Sequence, residues 1–308
     1  MHRHSPSRTR ARSRRTVACS LLAAAICLGG CSGDDPAEPD PESDTLDRLP
    51  PDSGGQHLAL ARDPDTAGTP PYGCWLYLPG GWQDSPAPYP LLVFLHGAGE
   101  RGDSHGDPAA LDAVLRNGPP RLIADGQWDP PHPLIVVSPQ CHDGWWDPVD
   151  IRELLEWVDQ HYPVDRTRIY LSGLSMGGYG TWGYLARFGA EEADPLALAA
   201  AAPICGGGAA GQAAAQAHTP IWAFHGTSDG TVPPAGSVAL VKAIGALQPE
   251  VPPRLTLYDG VGHDSWSRTY DGSGQGEGLR SYPPDPAVDP WLVPYAPDLY
   301  AWFFSHRR

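Results

Sequence analysis

Ile169-Tyr-Leu-Ser-Gly-Leu-Ser-Met-Gly-Gly178 is an apolar run of strand length that breaks into Gly173-Leu174-Ser175-Met176-Gly177 and then into a helical pattern. A G-x-S-x-G nucleophile elbow needs this strand, turn and helix context. The positions two before and two after the serine must be small where helix and strand pass close together, and Gly173 and Gly177 meet that need. A serine hydroxyl is a weak nucleophile near neutral pH and requires a general base, itself oriented by a carboxylate. Asp229 lies 54 residues further on in Gly-Thr-Ser-Asp-Gly-Thr, just past the apolar run Ile221–Gly226. His263 follows after another 34 residues, past the run Leu255–Tyr258. The order Ser, Asp, His on successive strand ends fits nucleophilic attack on a carbonyl by Ser175, proton transfer by His263 and orientation by Asp229. Asp259 and Asp264 compete for the third role, but neither has a whole strand between itself and the histidine. His225, ending a strand, reads as a structural histidine.

Attack on a carbonyl generates an oxyanion that needs two fixed donors. One is expected at the N–H of Met176, directly after the nucleophile. The other is expected at Ala98 N–H, in the loop His96-Gly-Ala-Gly-Glu-Arg-Gly102. His96 is expected to brace that loop. Glu100 and Arg101 either pair with each other or meet a substrate carboxylate. Trp145 and Trp146 either form a stacking wall for a sugar or phenolic group or pack in the core. Tyr179 and Trp182 read as core. Gly206–Gly208 reads as a tight loop rather than a phosphate cradle, because no P-loop lysine follows. No His, Cys and carboxylate set has zinc spacing, and the chemistry calls for no metal or organic cofactor.

Positioning these residues takes a framework, and the hydropathy pattern supplies one. Eight short runs rich in Val, Ile, Leu and aromatics read as strands near 57–62, 72–78, 91–96, 134–138, 169–174, 197–203, 221–226 and 254–258. Helix-length segments at 150–161, 178–188, 234–247 and 298–306 alternate with the later strands, and in the first of these Ile151, Leu154, Leu155 and Val158 share one face. Such alternation predicts a mostly parallel sheet with helices on both faces. Residues 271–297, rich in Gly, Pro and Asp, read as a long loop insertion that begins near the mouth of the site.

The chain ends of this framework carry address signals. Residues 1–15 are basic and Thr16–Leu28 almost wholly apolar, too short to span a bilayer, so 1–30 reads as a signal peptide. The small residues before Cys31 resemble a bacterial lipobox, which would place lipidation on Cys31 and the protein on the cell envelope; an ordinary cleavage site would leave it secreted. Residues 31–56, acidic and Pro-rich, are expected to be a disordered tether, with the catalytic domain at 57–308. The first 30 residues hold six Arg and no acid, leaving 15 basic and 36 acidic groups, a formal charge of −21, on the rest. One lysine, Lys242, occurs in 308 residues. A nucleic-acid partner is therefore not expected. Cys74, Cys141 and Cys205 allow at most one disulfide, with the pairing open.

Taken together, His96-Gly-Ala-Gly-Glu-Arg-Gly, Ser138-Pro-Gln-Cys141, Gly173–Trp182, Ala202–Gly208, Trp222–Gly226 and His263-Asp-Ser-Trp266 resemble the bacterial secreted α/β-hydrolases often labelled predicted peptidases. These are similar to carboxylesterases, feruloyl esterases and polyhydroxybutyrate depolymerases. The resemblance spans most of 57–306 and implies the α/β-hydrolase fold and a serine esterase acting on a small-molecule or polymer ester. A serine peptidase of prolyl-oligopeptidase type and a surface-tethered binding lipoprotein without catalysis are the alternatives. Sequences of this family pass quickly from a Ser-Trp-x-x-Thr-Tyr segment to the last helix, whereas here 271–297 intervenes.

Overall fold

Tyr89–Leu95 is wholly buried and alternates its side chains between two packed faces, which makes it a central strand. In the computed structural model, which describes residues 44–191 and 193–308, eight strands form one sheet. They are β1 (Gln56–Leu60), β2 (Cys74–Leu78), β3 (Tyr89–Leu95), β4 (Ile135–Pro139), β5 (Val164–Leu174), β6 (Ala200–Ile204), β7 (Trp222–Gly226) and β8 (Arg254–Tyr258). Their spatial order is β1-β2-β4-β3-β5-β6-β7-β8. The β1–β2 and β2–β4 pairs are antiparallel and the remaining pairs parallel. The predicted signal peptide, Cys31 and the first part of the tether lie outside the described residues. No helix among the described residues is long and apolar enough to cross a membrane.

Odd and even residues of β3 feed different cores. Leu91, Val93 and Leu95 pack with α2 (Pro148–His161), α3 (Met176–Phe188) and α5 (Ala235–Ala246). Leu92 and Phe94 pack with α1 (Gly118–Ala124), α6 (Trp266–Tyr270) and α7 (Leu299–Phe304) on the other side. A four-residue helix, α4 (Ala213–Gln216), precedes β7. The predicted strands are all present, with ends shifted by a few residues; β5 alone extends well back, to Val164, and pairs with β3 from Tyr89 onward. Helix α2 starts at Pro148, earlier than its apolar stripe, because Asp147 caps Val149 N–H and proline is tolerated in a first turn. The same tolerance explains α1, whose Pro119-Pro120 reads as a breaker in sequence but sits where no intrahelical N–H is needed.

Two expectations are corrected. The second half of the tether is ordered: Thr45–Arg48 forms a 3-10 turn, Leu46 is buried, and Asp44 accepts two hydrogen bonds from the buried Arg168 at 2.5 and 2.7 Å. Asp52 accepts from Tyr77 at 2.5 Å. The segment carries its own apolar anchor and carboxylate latches, which composition averages out. Residues 271–297 are not a plain loop. Leu279 N–H donates to Leu257 O and Val293 N–H to Leu255 O, both at 2.9 Å, so the tract lines the outer edge of β8. Val288 and Tyr295 are fully buried, and Pro286–Trp291 is a 3-10 turn. The three cysteines are buried free thiols.

Candidate active site

The turn after β5 sets the geometry. Ser175 has φ 53° and ψ −114°, a strained conformation for a residue with a side chain, and it is held by donation of its N–H to Ile204 O at 2.9 Å. Glycine is required beside it: a Cβ on Gly177 would lie 1.9 Å from Leu95 O, and one on Gly173 2.4 Å from Gly177 O. This close approach of β3, β5 and α3 fixes where the Ser175 hydroxyl sits.

His263 Nε2 lies 2.9 Å from Ser175 Oγ, and its Nδ1 lies 2.7 Å from Asp229 Oδ2. With Nδ1–H donating to the carboxylate, Nε2 is left to accept the serine proton. Asp229 is 5% exposed, and its other oxygen accepts Thr231 and Val232 N–H, each at 2.9 Å. Burial pushes its acidity toward the neutral form, but hydrogen bonds from His263, Val232 and Thr231 outweigh that and hold the carboxyl below the ordinary carboxylate range. It is an anion that faces His263. Asp264 is absorbed by Ser267, whose N–H and hydroxyl it accepts, and Asp259 lies exposed beside Thr227.

Met176 opens α3, so its N–H has no acceptor within the helix. Ala98 stands in the 3-10 turn Ala98–Glu100, next to Gly97, whose Cβ position would be 3.6 Å from Ser175 Cβ. Both expected oxyanion donors thus belong to segments that flank Ser175. The loop is braced by His96, fully buried, whose Nδ1 lies 2.6 Å from Gly97 O while its Nε2 accepts Cys141 N–H at 2.9 Å. Burial pushes this imidazole down to about 4, so it is neutral. His225 is likewise buried, between Ser237 Oγ and Val232 O, and burial lowers its proton affinity.

Two readings that the sequence leaves open are decided by the fold. Trp146 is not a stacking wall: it is 3% exposed, donates to His96 O at 3.1 Å and packs against Tyr72. Trp145 is 55% exposed and lies against Tyr179. Glu100 and Arg101 do not pair; Glu100 turns inward to accept from Asn117 Nδ2, and Arg101 Nε donates to Ala98 O. Sequence reasoning also missed Cys205. This residue has φ 40°, its Sγ is 3.3 Å from Ser175 N, and its sulfur lies within 4.8 Å of ligand-type atoms of Asp229 and His263. Burial pushes that thiol up to about 12, so it stays protonated, a packing partner of the elbow rather than a thiolate ligand. Asn117 and Trp266 were missed as partners as well, although the Trp in His263-Asp-Ser-Trp266 is a visible signal.

No family model matches the chain. A bifunctional acetylxylan esterase/xylanase from Neocallimastix patriciarum is 31% identical over 149 residues, which are 46% of this chain and 19% of that protein. Among solved structures, a thermostable esterase is 27% identical with a TM-score of 0.55, over 86% of this chain and 64% of that one. A feruloyl esterase module from Clostridium thermocellum, solved with sinapinate, shares the fold at 16% identity and a TM-score of 0.50, over 82% and 93% of the two chains. The chain thus spans about a fifth of the curated relative and less than two thirds of the thermostable esterase.

Proposed function

Because the chain belongs to the α/β-hydrolase superfamily and resembles its esterases, we propose that it is a serine hydrolase that cleaves carboxylic esters through an acyl-enzyme. What carries this reading is the continuous hydrogen-bonded line Ser175 Oγ, His263, Asp229 on a strained elbow. Ser175 Oγ attacks the ester carbonyl as His263 Nε2 takes its proton. The oxyanion is met by Met176 and Ala98 N–H. Collapse expels the alcohol, which receives the proton from His263. Water, deprotonated by the same imidazole, then releases the acid and restores Ser175. Asp229 stabilises the imidazolium of both steps. The side chains suffice for every proton transfer, so the mechanism routes no step through a cofactor.

The substrate is a small-molecule or polymer ester, and we assign Trp145, exposed and lying against Tyr179, to stacking on its aromatic or sugar part. The N-terminal signals support export, with a lipid on Cys31 as the membrane anchor; a Cys31→Ser variant is expected to move to the soluble fraction, and unchanged detergent-dependent fractionation would remove the anchor from the reading. The test of the chemistry is Ser175→Ala. It is expected to lose labelling by a fluorophosphonate and to lower kcat on acetyl esters by about four orders of magnitude or more. Near wild-type turnover would exclude the mechanism, and preference for an aminoacyl amide over the matching ester would make it a peptidase.

A further inference from the structure

Two guanidinium groups grip the loop that carries Ala98. Arg101 Nε donates to Ala98 O at 3.1 Å, and Arg116, from the end of the 3-10 segment Pro108–Arg116, donates through a terminal nitrogen to Gly99 O at 3.2 Å. Both side chains are exposed, and each uses one nitrogen on the loop, leaving further donors toward solvent. Neither makes an ion pair among the described residues, in a chain whose acidic groups outnumber its basic ones 36 to 21. Three of the four carboxylates close in sequence are turned elsewhere, and the fourth, Asp112, is exposed four residues before Arg116. Glu100, between the two, is buried on Asn117; Asp103 faces Arg62 at 3.7 Å; Asp107 caps Ala109. Among the described residues both guanidinium groups therefore stand without an ion-pair partner on the loop that carries Ala98, whose neighbour Gly97 lies so close to the elbow that a Cβ there would be 3.6 Å from Ser175 Cβ.

We propose that Arg101 and Arg116 form an anion subsite that takes the carboxylate of an ester substrate bearing a negative charge a few bonds from the scissile carbonyl. The class is that of half-esters of dicarboxylic acids and esters of acidic sugars. Holding the two forks against backbone carbonyls removes most of their rotamer freedom before substrate arrives, so a carboxylate is bound at small entropic cost. The same contacts fix the loop that bears Ala98 N–H, coupling recognition to the oxyanion donor. This inference rests on the esterase reading and narrows its substrate.

The experiment compares the 4-nitrophenyl monoester of adipic acid with 4-nitrophenyl hexanoate, which has the same chain length and no charge. The wild-type ratio of kcat/KM is expected to favour the charged ester by about tenfold at low salt, the worth of one charge-assisted contact. The preference should shrink as salt rises. It should fall to about one in the double variant Arg101→Gln/Arg116→Gln and return in Arg101→Lys/Arg116→Lys. A ratio equal in wild type and the double Gln variant overturns the subsite. If neither ester turns over, the esterase reading fails separately, and calorimetric titration of Ser175→Ala with monoethyl adipate still decides the subsite. Binding lost when the two Gln substitutions are added supports it, and binding that is unchanged or absent from the start overturns it.

Discussion

The indole N–H of Trp266 donates to the amide oxygen of Asn117 at 3.0 Å, and this bond ties the two halves of the candidate active site together. Trp266 also presents its ring to His263 edge-on, with centroids 5.3 Å apart. Asn117 passes the connection on through Nδ2 to Glu100, the last residue of the turn that begins with Ala98. The proposed base and one proposed oxyanion donor are therefore set against each other through the side chains of Trp266, Asn117 and Glu100. Trp266→Phe keeps the ring and removes the N–H. It is expected to lower kcat about threefold to tenfold with KM nearly unchanged, since small misalignment costs rate rather than binding. Unaltered kcat, with only a loss of thermal stability, would reduce the bond to a structural one.

A pH prediction follows from His96. Its imidazole is pushed down to about 4 by burial in the folded protein, whereas the unfolded chain takes up the proton near the ordinary value of about 6.5. The folded-state value is depressed for a basic group, so the unfolded state binds more protons between these limits. Stability is complete above about pH 6.5 and falls as pH drops toward 4, by about 3 kcal/mol from this group. Denaturant unfolding across that range should show a steeper loss in wild type than in His96→Asn, which starts less stable because Gly97 O and Cys141 N–H lose their partner. Parallel curves would mean that His96 takes up its proton equally in the folded and unfolded chain, which would overturn the depressed value.

Much of this framework was legible because its signals are local. Ser175 is marked by glycines at fixed offsets, and each strand by a short apolar run bounded by turn residues. Asp229 and His263 could be singled out because strand ends gather on one edge of a parallel sheet. Contacts that depend on where distant loops meet left no such mark. Nothing around Asn117 announces Trp266, 149 residues away, and nothing in Cys205 announces a left-handed backbone beneath the elbow. Trp145 and Trp146 show the limit most sharply. They are adjacent and identical in type, and only the fold decides that one faces solvent while the other bonds to His96 O.

That division makes the pair a test. Trp146→Ala empties a buried volume and frees His96 O, and should cost about 3 to 5 kcal/mol of unfolding free energy. Trp145→Ala should stay within about 0.5 kcal/mol of wild type while raising KM for feruloyl or aryl-glycoside esters more than for a plain acetyl ester. Equal KM changes for the bulky and small esters would take Trp145 out of the substrate site.

The last prediction concerns residues 271–297, where the fold shows a cover for the sheet edge in place of a plain loop insertion. Strand β8 is the end of the sheet, and an unpaired end strand offers its backbone to other chains. Here the tract occupies that edge: Leu279 and Val293 donate to Leu257 O and Leu255 O, and Thr256 Oγ donates to Val293 O. Tyr295, fully buried, locks the return path, its hydroxyl donating to Thr269 O at 2.7 Å and accepting Leu299 N–H at 3.1 Å. Replacing 272–293 by a short Gly-Ser link is expected to give aggregated protein without activity on small or bulky esters, because the β8 edge and the face of α5 under Trp291 are uncovered together. Tyr295→Phe isolates the lock without opening the edge: it leaves Thr269 O and Leu299 N–H without their partner and should cost about 1 to 3 kcal/mol, with kcat on an acetyl ester retained. A soluble excision variant with wild-type melting temperature would show that β8 needs no cover, and the tract would then have to be explained by what it binds.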